Sequence, residues 1–77
     1  MLSEIKYYKI DTKEISYLKF IFEGYDGVAI IRTVEPKEGI IALHIPRGNK
    51  PEVESIINDI KKNIKIEEAN LNISKVR

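Results

Sequence analysis

Cysteine is absent from the 77 residues. No disulfide can staple the fold, and no thiolate is available as nucleophile or metal ligand. His44 is the only histidine, and one imidazole without a thiol does not make a zinc-type site. Glycine is sparse, and neither GxxxxGK[ST] nor GxGxxG occurs, so no phosphate-cradling loop is expected. An excess of one charge is also missing. Thirteen Lys and Arg against 12 Asp and Glu leave a net charge of +1, too small a field to draw the chain onto nucleic acid or an anionic membrane. No apolar run approaches the roughly 20 residues that span a bilayer. The start, MLSEIKYYKID, has no apolar signal core, so the cytosol is the expected location.

What is present suits a folded domain. Apolar residues make up 43% and charged residues 32% of the chain, outside the range that keeps a chain disordered. The length fits one small domain over residues 1–77, with 72–77 expected to fray. The organising stretch runs from Ile15 to Ile45. Before it, Ile5–Ile10 is β-branched and aromatic and reads as a strand, with Tyr8, Ile10 and Lys6 on one face and Ile5, Tyr7 and Lys9 on the other. Asp11 and Glu14 then have capping-box spacing. Ile15, Leu18, Phe22 and Tyr25 recur at helical spacing, with Ile21 beside them and Tyr17 and Phe20 on the flank. Gly24 is placed to end this helix.

Val28–Val34 reads as the second strand, Glu35–Gly39 as a turn around Pro36 and Gly39, and Ile40–Ile45 as the third strand. Pro51 suits the first turn of a second helix, with Asn49 or Lys50 as its cap. Val53, Ile56, Ile57, Ile60 and Ile64 form its apolar stripe. Lys65–Leu71 reads as a fourth strand. The order β-α-β-β-α-β predicts a ferredoxin-like α+β sandwich: a four-stranded antiparallel sheet with both helices on one face. A right-handed crossover leaves a gap between strands 1 and 2 for strand 3, and strand 4 joins the outer edge of strand 1.

This topology predicts three surfaces. The first is the sheet face without helices. If Ile41, Leu43 and Ile45 face the helices, then Ile40, Ala42 and His44 face out beside Tyr7. Strand 2 is apolar on both parities, so its outward set stays open. The patch exceeds what a soluble monomer normally leaves wet, and a homodimer is expected there, with a protein partner or scattered surface apolars as the alternatives. The second is Arg47, Gly48, Asn49 and Lys50, two cations at a helix start where an anion could sit, although a solvated turn explains the same residues. The third is Glu23–Gly27, which reads as turn chemistry or a small-ligand rim.

No catalytic set emerges. The serines lack a nucleophile-elbow context, Glu67 and Glu68 point to opposite faces of a strand, and His44 has no assignable proton-transfer partner. Tyr7 and Tyr8 lack the RNA-binding motif K/R-G-F/Y. No enzyme activity, cofactor, metal, nucleic acid or membrane partner is therefore expected.

The segment YYKIDTKEISYLKFIFEGYDGVAIIRTVEPKEGIIALHI, from Tyr7 to Ile45 and including YLKFIFEGYDG and IRTVEP, resembles a small bacterial family of uncharacterised single-domain proteins, a domain of unknown function. The resemblance implies no activity. At the level of fold the chain is similar to ACT domains, which bind regulatory ligands and carry a glycine between strand 1 and helix 1; here that loop is Asp11-Thr12-Lys13-Glu14. The expectation is a non-catalytic, self-associating interaction module, with an ACT-like regulatory small-ligand binder as the alternative.

Overall fold

A computed structural model describes residues 3–25 and 27–69. Its elements are β1 (Ser3–Ile10), a 3-10 turn (Thr12–Glu14), α1 (Ile15–Gly24), β2 (Ile30–Glu35), β3 (Ile40–Pro46), α2 (Lys50–Ile60) and β4 (Ile66–Ala69). The strands form one sheet in the order β2-β3-β1-β4, with every pairing antiparallel. The expected ferredoxin-like arrangement is the observed one, down to β3 in the gap and β4 on the outer edge of β1. The expected tail at 72–77, the end of the fourth strand at Leu71 and the turn residue Asp26 lie outside the described residues.

The core lies between helices and sheet. Leu18 and Phe22 of α1 meet Tyr8, Ile10, Ile41, Leu43 and Ile45 of the central strands, and Val53, Ile56, Ile57 and Ile60 of α2 complete the layer. The i, i+3, i+4, i+7 stripe of α2 thus buries its four apolar residues up to Ile60 as expected. Ile64 does not continue the helix. The amides of Asn63 and Ile64 both donate to the Ile60 carbonyl, and the tightened turn leaves Ile64 half-buried against the core.

Local chemistry departs from the sequence reading in three places. The Asp11 carboxylate accepts from the Lys13 amide at 3.2 Å, which caps a 3-10 turn; α1 begins only at Ile15 and has no side-chain cap. The predicted capping box is therefore not the device that starts α1. Gly24 belongs to α1 and does not adopt positive φ; the left-handed glycine is Gly27, at φ +75°. Strand β2 begins at Ile30, not Val28. The Val28 amide donates to the Tyr25 carbonyl at 3.1 Å, and the Val28 carbonyl accepts from Asn49 at 3.1 Å. With both backbone groups held by loops, Val28 cannot join the ladder, and its side chain packs into the core.

The two ends of the sheet are tied as the topology requires. At one, the Ile10 amide donates to the Gly39 carbonyl at 2.8 Å, fastening the β2–β3 hairpin to the exit of β1. At the other, Asn49 Nδ2 donates to the Gly27 and Val28 carbonyls, both at 3.1 Å, joining the α1–β2 loop to the start of α2.

Candidate functional site

The uncovered face can be read strand by strand, because antiparallel partners share a face. One row across the sheet is Ile30–His44–Ile5. The next is Arg32–Ala42–Tyr7–Ala69, and the third is Glu35–Ile40–Lys9–Glu67. Ile31 and Thr33 pair with Leu43 and Ile41 and take the helix side, which resolves the two apolar parities of β2. The register shifts between Thr33 and Glu35, so Val34 is an extra residue at a bulge.

The four residues expected on this face lie together. Tyr7 and Ala42 are direct cross-strand partners, and Ile40 and His44 flank Ala42 along β3 on the same side. Ala42 is only 3% exposed yet stands outside the helix-side core. It is a short side chain set between its cross-strand partners Tyr7 and Arg32. In the neighbouring row Ile30 is 64% exposed and Ile5 45%, and Val34 at the bulge is 43% exposed. β-Branched residues at those positions satisfy strand propensity, but propensity alone does not require so apolar a wet face.

The charges of the face sit toward one end and one edge. Its strand residues carry Lys9 and Arg32 against Glu35 and Glu67. Lys9 lies 3.8 Å from Glu38 of the hairpin. His44 is half-buried, and its direct cross-strand neighbours are Ile5 and Ile30. No carboxylate occupies a register position beside it among the described residues.

The Arg47–Lys50 loop is arranged differently from an isolated cationic turn. The Asn49 amide group is engaged by the two loop carbonyls, and Lys50 Nζ lies 3.7 Å from Glu4. Gly48 holds φ +89°, and Arg47 is exposed. The Asn49 bridge joins this loop to the glycine turn that follows α1, a contact between two stretches 21 and 22 residues apart. An asparagine at a helix start reads as a cap, so sequence alone gave no signal for it.

Two clefts flank β4. One, of about 400 Å³, is lined by Lys9, Ile10, Asp11, Lys65 and Glu67, beside the strand 1–helix 1 turn. The other, of about 190 Å³, lies between α2 and the sheet, and includes Lys6, Tyr8, Asn58 and Glu68. There Lys6 Nζ meets Glu68 at 3.0 Å, and that hydrogen bond holds the Lys6 ammonium above its ordinary pKa. Burial pushes the Tyr8 phenol up as well. Among the described residues no three His, Cys, Asp or Glu side chains gather as a metal-binding group, and no helix is long and apolar enough to cross a membrane.

These observations define a ferredoxin-like α+β domain with one apolar sheet face left uncovered by its helices. The model of a family described as a domain of unknown function (DUF4911) matches residues 8–64, and the chain belongs to that family. No match was found among curated proteins or solved structures.

Proposed function

We propose that this domain is a non-catalytic interaction module that self-associates through the uncovered face of its sheet. The observation that carries the reading is the pair Ile5 and Ile30, both more than 40% exposed, in the row beside the Tyr7–Ala42 pair. The described chain is a slab of 33 × 32 × 17 Å. Its broad side is of the size a stable interface needs, about 800 Å² per partner. A second copy suits the face electrostatically, because the two cations and two carboxylates of its strand residues balance. Two such faces can meet without accumulating net charge, the apolar Ile30–His44–Ile5 row lying at one end of each and the charges toward the other end and the β2 edge.

Ala42→Glu tests this reading. The substitution places a carboxylate in the middle row of the face, where association would desolvate it. The variant keeps its circular-dichroism spectrum, since Ala42 is outside the helix-side core, and its dimer dissociation constant in sedimentation rises by at least about ten-fold. A variant that associates like the parent would move the contact to an edge strand or to the helices.

An ACT-like ligand binder is the second reading, supported by the cleft beside Asp11. A ligand that binds only the native state raises the melting temperature. On this reading, a thermal-shift screen of amino acids and nucleotides yields a shift that Asp11→Ala abolishes; a flat screen removes the reading.

A further inference from the structure

Resting on the reading of the sheet face as a self-association surface, we infer that His44 makes that association proton-sensitive, so that mild acid drives the copies apart. His44 is the only imidazole of the chain. It stands on β3 with Ile5 of β1 and Ile30 of β2 directly opposite, one on each side. Those two side chains are 45% and 64% exposed, so a second copy that covers them also encloses the imidazole between them. His44 is already half-buried on the bare face.

Among the described residues the register places no carboxylate beside the imidazole. Along β3 its same-face neighbours are Ala42 and Pro46. In the adjacent row stand Tyr7 on β1 and Arg32 on β2, and Arg32 is itself a cation. The carboxylates of the face, Glu35 and Glu67, occupy the third row with Lys9. α1 and α2 lie on the opposite side of the sheet and present no group to His44. Protonation therefore places a charge among two isoleucines and an arginine. It also turns the balanced set of two cations and two carboxylates into a net positive face on each copy. Both copies gain that charge together, and the contact would have to desolvate two imidazolium ions that repel one another. The neutral imidazole fits; the charged one does not.

Linkage fixes the sign: if the associated state binds fewer protons than the separated chains, lowering the pH favours separation. Histidine changes charge between about pH 5 and 8, so the effect falls in a range where the chain's carboxylates stay largely ionised.

The test is sedimentation of the whole chain and of His44→Gln at about pH 7.5 and pH 5.5, with circular dichroism at both. The parent associates at the higher pH. Its dissociation constant rises on the order of 10- to 100-fold at the lower one, because each dimer takes up two protons on separating, while its spectrum is unchanged. His44→Gln associates equally at both. A parent whose association is the same or tighter at the lower pH overturns the inference and leaves the interaction reading standing. So does a His44→Gln chain that still weakens in acid. A parent that is monomeric at every concentration and pH overturns both.

Discussion

Gly39→Ala is expected to destabilise the domain by about 3 kcal/mol or more, enough to leave much of so small a chain unfolded. Two independent effects add there. Gly39 sits at φ +75°, where an L side chain clashes with its own backbone at about 1–2 kcal/mol. A Cβ at that position would also lie 1.9 Å from the Ile10 carbonyl oxygen. That neighbour is backbone in the central sheet and cannot turn aside. Either the hairpin or the end of β1 must move, and the 2.8 Å hydrogen bond from the Ile10 amide to Gly39 goes with it. Gly48 is the control, because it holds φ +89° with nothing within 4 Å of its would-be Cβ. Gly48→Ala pays only for the backbone, about 1 kcal/mol. With a urea slope of about 1 kcal/mol per molar for a chain of this size, the midpoints fall by about 3 M and 1 M respectively. Equal shifts would mean that the approach to Ile10 relaxes freely.

The difference between those glycines marks what a sequence can and cannot carry. That Gly39 takes positive φ was legible from the turn Glu35-Pro36-Lys37-Glu38-Gly39. Its contact with Ile10 belongs to the tertiary fold, which brings the hairpin to the exit of β1. The outward set on β3 was legible because Leu43 and Ile45 alternate with the smaller Ala42 and the more polar His44, which carries the parity back to Ile40. Strand β2 was not, because Ile30, Ile31 and Val34 make both parities apolar, and only pairing with β3 separates them. Val28 misled for a related reason: a β-branched residue reads as strand, but its carbonyl is taken by Asn49 from a distant loop. Of the candidate site, the residue types were visible, whereas the neighbours of His44 required the register.

Within α1 the same side chain appears in two environments, and Phe22→Ala should cost about 3–5 kcal/mol while Phe20→Ala stays within about 0.5. Phe22 is 2% exposed and packs in the core between α1 and the sheet; Phe20 is 74% exposed. Removing the buried ring deletes its transfer energy and leaves a cavity that surrounding side chains fill only in part. Removing the exposed ring loses little burial, and alanine's better helix propensity returns a few tenths of a kcal/mol. Denaturant unfolding of the two variants measures the contrast. A large loss at Phe20 would show that its flank, which also carries Tyr17 at 41% exposed, is covered in solution. Sedimentation then separates the possible causes. If the sheet face is the contact between copies, Phe20→Ala leaves the dissociation constant where it was. If association weakens instead, the copies meet along the aromatic flank of α1, and the sheet face has lost its claim to that role.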